Sequence, residues 1–85
     1  MKIDLELYGA LRGLEPEDRL HLEVHGQRVS DLRHALVAHA ATHWPDLAPG
    51  MLAKCAFATH SELLRDGDAL PADGRMSALP PVSGG

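Results

Sequence analysis

The sequence predicts a small α+β domain in which one helix packs on a mixed sheet of four to five strands. Three observations carry this reading: two early runs with period-2 alternation, one segment with helical spacing, and three shorter extended runs after it. One helix covers one face of such a sheet. The other face stays open.

Ile3, Leu5 and Leu7 alternate with Asp4, Glu6 and Tyr8, the pattern of a half-buried strand closed by Gly9. Arg12 to Asp18 reads as a polar loop containing Gly13 and Pro16. Leu20, Leu22 and Val24 then alternate with His21, Glu23 and His25 as a second strand, and Gly26-Gln27 turns the chain. Ser30 is the expected N-cap of a helix over about Asp31 to His43, with Asp31 at the positive end of its dipole. Its apolar positions are Leu32, Ala35, Leu36 and Ala40, and Pro45 limits continuation. Asp46 to Gly50 is a loop. Leu52 to Ala58 reads as a buried strand, Glu62 to Arg65 as a short one, and Arg75 to Leu79 as the last, stopped by Pro80-Pro81. Asp66-Gly67 and Asp73-Gly74 are turn signals. Residues 1–79 are thus expected to form the domain and residues 80–85 a flexible tail.

Composition narrows the function classes. Eighty-five residues suit one domain with a thin core and little room for a deep catalytic pocket. A net charge of −4 argues against non-specific nucleic-acid binding, which needs a positive field. The single cysteine, Cys55, can form neither an internal disulfide nor a multi-thiolate metal site. Folding without disulfides, with no signal-like stretch after Met1 and no run of ~20 apolar residues, fits a soluble protein of the reducing cytoplasm with no membrane partner.

The most informative stretch is Leu79-Pro80-Pro81-Val82-Ser83-Gly84-Gly85. Two prolines favour stiff polyproline geometry after the last strand. The four residues from Val82 to Gly85 reach ~13 Å when extended. The diglycine lets the walls of a narrow channel close directly on backbone. At the tip the Gly85 carboxylate is ionised and a poor electrophile, so acyl chemistry requires prior activation, most simply to an acyl-adenylate. A frayed glycine-ended terminus is the plainer reading of a lone Gly-Gly; the whole Pro-Pro-Val-Ser-Gly-Gly string favours a carrier whose own terminus is the reactive handle.

With that string, the chain resembles the ubiquitin-like β-grasp sulfur carriers of the MoaD/ThiS family, and most of all the small subunit of molybdopterin synthase (the MoaD type). Two weaker matches are Leu7-Tyr8-Gly9-Ala10-Leu11-Arg12 and the helix from Val29-Ser30-Asp31-Leu32 to His43-Trp44-Pro45. The resemblance implies a β-grasp fold and a cycle. An ATP-dependent activating enzyme of the MoeB kind adenylates Gly85, and a sulfur donor converts the adenylate to a thiocarboxylate. A large synthase subunit of the MoaE kind then receives the tail, Pro80 to Gly85, and sulfur passes to a pterin precursor of the molybdenum cofactor. The chain itself is not catalytic in that scheme and holds no bound cofactor; the adenylate and thiocarboxylate are transient covalent states. Related carriers serve thiamine, amino-acid or specialised-metabolite pathways, and a non-covalent β-grasp interaction module is the reading from another class.

Tyr8 is expected on the open face as a partner anchor, in agreement with the aromatic that the resemblance implies there. Leu79 either extends that patch or finishes the core. Arg12 is either a donor fork for acidic groups of the activating enzyme or a solvated loop residue. His39 and His43 are four apart on the helix, but no metal-site pattern accompanies them, so they read as rings packed at the margin of the apolar stripe. His21 and His25 read as outward polar positions of their strand. Cys55 reads as a small core hydrophobe.

Overall fold

The computed structural model describes residues 1–48 and 50–81. Strands β1 (Lys2–Leu7) and β2 (Arg19–Glu23) precede helix α1 (Val29–His43), and β3 (Ala56–Ala58), β4 (Leu63–Leu64) and β5 (Arg75–Leu79) follow it. They form one mixed sheet in the order β2-β1-β5-β3-β4. β1 and β5 run parallel at its centre, and every other pairing is antiparallel. Short 3-10 turns at Gly9–Leu11, Pro16–Asp18 and Leu52–Lys54 complete the ordered elements.

Period-2 alternation sends Ile3, Leu5 and Leu7 of β1 and Met76 and Ala78 of β5 to the helix side. There they meet Val29, Leu32, Leu36 and Ala40, one stripe of α1. Phe57 of β3 and Leu11 are fully buried in the same cluster. Burying each large side chain of this kind contributes about 1.5–3 kcal/mol before chain entropy is subtracted. Gly74 lies where β5 begins. Its φ is +71°, its carbonyl accepts the Asp4 N–H at 2.7 Å, and a Cβ there would stand 2.5 Å from the Lys2 carbonyl oxygen. Only glycine suits that crossing.

Two expected boundaries are corrected. The helix starts at Val29 with Arg28 as N-cap, not at Asp31 with Ser30 as cap. The reason is tertiary. The N–H groups of Val29 and Ser30, unpaired at any helix start, donate to the carbonyls of Asp68 and Asp66 at 2.9 Å each. Asp31 still serves the first turn by accepting the Arg28 N–H at 3.1 Å.

The expected strand from Leu52 to Ala58 is also shorter, because Leu52–Lys54 is a 3-10 turn and pairing begins at Ala56. Arg33 explains that change. Its Nη1 donates to the carbonyls of Leu52 (2.6 Å) and Cys55 (2.7 Å), turning them away from any ladder. Nε and Nη2 of the same guanidinium grip the Asp66 carboxylate at 3.1 and 2.7 Å, and the group lies 4.9 Å from the Phe57 ring centre. The Asp66 carboxyl is held below its usual range, chiefly by the hydrogen bond from Arg33. Arg33→Met keeps the stem but strands two partly buried carbonyls and releases the Asp66 turn. It is expected to cost about 3 kcal/mol in a urea-unfolding comparison, with Arg33→Lys recovering only part of the loss.

Candidate functional site

The open sheet face brings together two of the sequence-predicted positions, Tyr8 and Leu79. Strand register sets Asp4 and Glu6 of β1 beside Arg75 and Ser77 of β5, and Ala58 and Ala56 of β3 beside Ser77 and Leu79. Leu63 of β4 stands opposite Ala58. Tyr8 follows β1 directly, its N–H donating to the Ala78 carbonyl at 3.2 Å, so its ring shares the end of the face with Leu79.

This face has two unlike halves. Over β1 and β2, Arg19 donates from Nη1 to both carboxylate oxygens of Asp4 and from Nη2 to Glu6, all at 3.2 Å. These residues, with Tyr8, Arg75 and Ser77, line a shallow concavity of about 640 Å³. Over β3, β4 and the end of β5 the face carries the exposed Ala56 and Leu63 and the half-buried Leu79. Leu63 is 69% exposed, the most exposed of the large apolar side chains among the described residues, and Tyr8 is 40% exposed. The Tyr8 hydroxyl donates to the Glu6 carboxylate, and that bond, ahead of partial burial and the Glu6 charge, raises the phenol above its usual pKa. Tyr8 therefore presents a neutral, oriented ring at the boundary between the halves.

The last strand leads out at this apolar end. Leu79 is half-buried and, on the same face of β5 as Ser77, edges the patch; it is not part of the core cluster. Pro80 is half-buried as well; a Cβ built on Gly9, whose φ is +56°, would lie 3.1 Å from its Cγ. Pro80 thus packs over Gly9, closer to the body than the sequence suggested, while Pro81 is exposed. Val82, Ser83, Gly84 and Gly85 lie outside the described residues.

Arg12 is not drawn into the patch. Its side chain is 67% exposed, and Nε donates to Asp18 at 3.2 Å. The Asp18 carboxyl is lowered first by the Gly13 N–H at 2.7 Å, with Arg12 adding to the effect. Sequence reasoning missed Leu63. The available signal was the pair Leu63-Leu64 in a short strand, since only one of two adjacent residues can face the core.

The remaining candidates are structural. Cys55 is buried just before β3 instead of within a strand, and burial pushes its thiol pKa up, away from reactivity. His39 and His43 stack at 4.4 Å. The His39 Nε2 hydrogen-bonds the Glu15 carboxylate at 3.0 Å, and Trp44 Nε1 donates to the same oxygen at 2.8 Å. No group of three or more His, Cys, Asp or Glu among the described residues is placed to hold a metal ion.

A solved structure with the same architecture is SAMP1 from Haloferax volcanii. It superposes with a TM-score of 0.65 over 100% of both chains at 21% sequence identity. The chain has the ubiquitin-like β-grasp fold. No protein-family model matches the sequence, and neither does any curated protein. Among the described residues, no helix of this β-grasp domain is long and apolar enough to cross a membrane.

The Glu15 cluster pins the long β1–β2 connection to the end of α1. Burial alone would raise the Glu15 carboxyl, but the bonds from His39 and Trp44 outweigh it and hold the pKa below the usual value. A lowered carboxyl stabilises the fold above its unfolded pKa, and that contribution is lost as pH falls through the folded value. The urea midpoint is therefore expected to drop between about pH 5 and pH 2. Glu15→Gln, which keeps an acceptor for Trp44, should flatten that slope while lowering stability at pH 7.

Proposed function

We propose that the protein is a carrier whose Gly85 carboxylate is activated and converted to a thiocarboxylate, and that it serves as the small subunit of a molybdopterin synthase. The observation that carries this reading is the position of the string Pro80-Pro81-Val82-Ser83-Gly84-Gly85. It follows directly on β5, the middle strand of a ubiquitin-like β-grasp sheet, beside an exposed apolar patch. A partner seated on Tyr8, Leu79, Ala56 and Leu63 would hold the domain while the diglycine enters its active site.

The chemistry is supplied by the partners. In an activating enzyme, a Gly85 carboxylate oxygen attacks the α-phosphorus of ATP and pyrophosphate leaves. A sulfur nucleophile at the sulfide oxidation level then attacks the acyl carbon and AMP leaves, giving the thiocarboxylate. In the active site of a large synthase subunit, the thiocarboxylate sulfur attacks a carbon of the pterin precursor and a leaving group departs from that carbon. Water then hydrolyses the acyl–sulfur bond, leaving the sulfur on the pterin and returning Gly85 to the carboxylate. Carriers for thiamine, amino-acid or specialised-metabolite sulfur use the same first two steps. The ubiquitin-like fold favours one second reading, in which a lysine amine displaces AMP and Gly85 becomes an isopeptide.

Intact mass of the protein from its native host, kept free of added thiols, is the deciding measurement. The carrier reading expects a species heavier by one exchange of oxygen for sulfur, localised to the peptide ending in Gly85. An isopeptide remnant on another protein would support the second reading. An unmodified Gly85 that also resists adenylation would overturn both and leave a non-covalent interaction module. Deletion of Gly85 is expected to abolish sulfur transfer with the unfolding midpoint unchanged.

The patch is tested separately. Leu63→Asp removes an exposed contact without opening the core, so stability should shift by less than about 0.5 kcal/mol. Affinity for the large subunit should fall at least ~10-fold in calorimetric titration, the loss expected of an interface anchor.

A further inference from the structure

We propose that the outer edge of β2 pairs with the same edge of a second copy of this chain, forming a weak two-fold dimer through a continuous sheet. The argument begins with the direction of backbone groups. The Val24 N–H donates to the Met1 carbonyl oxygen at 2.8 Å, and the β1–β2 register sets Ile3 against Leu22 and Leu5 against Leu20. In an antiparallel ladder, hydrogen-bonded pairs recur at every second residue. Leu20, Leu22 and Val24 therefore turn their N–H and C=O groups toward β1. The Asp4 N–H donates to Gly74 on the opposite side of β1, as the same alternation requires. By that alternation Arg19, His21 and Glu23 aim their backbone groups outward, away from the sheet.

β2 is an edge strand, and among the described residues nothing covers those groups except at Arg19, whose N–H closes the preceding 3-10 turn on Pro16. Unpaired edges of this kind are templates for another strand. The charges along this one specify which strand. The run Arg19-Leu20-His21-Leu22-Glu23 is self-complementary when read antiparallel about its centre. Placing His21 opposite His21 of the second copy sets Arg19 opposite Glu23 of the second copy, and Glu23 opposite its Arg19. Directly opposed unlike charges stabilise a strand pair and like charges disfavour it.

The hydrogen bonds agree with the same register. His21 N–H meets the His21 carbonyl of the second copy, and Glu23 N–H meets its Arg19 carbonyl, each twice by symmetry. The one donor already used, Arg19 N–H, is missing from both ends alike. Arg19 keeps its contacts to Asp4 and Glu6, so the row of charges continues across the junction with alternating sign. An antiparallel partner strand of another protein would need the same order, basic first and acidic last; a second copy has it by construction. Little apolar surface joins the contact, since Leu20 is buried and Leu22 half-buried within each monomer, so the dimer is weak.

The test is sedimentation equilibrium of the full chain from about 10 μM to 1 mM, a range that reaches millimolar affinities. It is combined with amide exchange of the folded protein at both ends of that range. The expected result is a concentration-dependent dimer in which the His21 and Glu23 amides slow together at high concentration. His21→Pro removes an outward N–H that the monomer does not use and should abolish the dimer. Glu23→Arg places like charges opposite each other and should weaken it at least ~10-fold. Mixing Glu23→Arg with Arg19→Glu restores every unlike pair and should recover association. A monomer at 1 mM overturns the proposal, as does a dimer that survives both single substitutions or one whose His21 amide exchanges freely.

Discussion

The guanidinium of Arg33 is the constraint on which the second half of the fold depends. β3 has three residues and β4 two, too few to define their own register. Arg33 fixes the chain on both sides of that pair. It holds the Leu52 and Cys55 carbonyls before β3 and the Asp66 carboxylate after β4. The loop held at Asp66 then caps α1, since the Asp66 and Asp68 carbonyls take the first helical N–H groups. Helix start, strand start and loop are closed into one circuit by a single side chain. A planar fork suits this task because carbonyls and a carboxylate must be met from several directions at once. In a domain with so thin a core, such a circuit does what deeper burial does in larger ones.

Placing α1 on one face leaves the other to function, and the central position of β5 decides how that face is used. Because β5 lies between β1 and β3, the chain leaves the sheet with strands on either side. The flanking residues differ in kind. The β1 side carries the Asp4–Arg19–Glu6 ion network, while the β3 and β4 side exposes Ala56 and Leu63. Exposed ion pairs hold water and contribute little affinity, whereas an exposed leucine beside small residues is readily desolvated. For the partner proposed above, the apolar half would supply binding energy and the charged half would fix orientation. Tyr8 stands at their boundary, its hydroxyl on Glu6 and its backbone N–H on the Ala78 carbonyl of β5.

Much of this was legible in the residues because it rests on local patterns. Alternation from Ile3 to Tyr8 and from Leu20 to His25, together with the 3.6-residue stripe of α1, suffices for the main elements and for the open face. What escaped depends on partners distant in sequence. Val29 and Ser30 become helical because a loop nearly forty residues later accepts their N–H groups, and nothing near Ser30 reveals that. The 3-10 turn at Leu52–Lys54 forms because Arg33 competes for carbonyls that an apolar run seemed to commit to a strand. Glu15 looked like a loop carboxylate and is instead drawn in by His39 and Trp44. Leu63 escaped for the opposite reason: a two-residue strand is too short to show a period. The diglycine is read from the sequence alone, since Val82 to Gly85 lie outside the described residues.

The two edges of the sheet have different consequences for that chemistry. β4 is short and lies on the apolar side, so a strand added there would compete with a partner on Leu63. β2 lies at the other edge, two strands from β5, and its outward groups are far from the patch. Pairing through β2 gives the order β5-β1-β2-β2-β1-β5 across two copies. With strands ~4.8 Å apart, the two β5 strands stand about 24 Å from one another. They also run antiparallel, because each step from β1 to β2, across the junction, and back to β1 reverses direction once, and β5 follows β1. The two tails then leave at opposite ends of the joint sheet. Each apolar patch stays open, so a dimer joined at β2 leaves the proposed partner surface of both copies accessible.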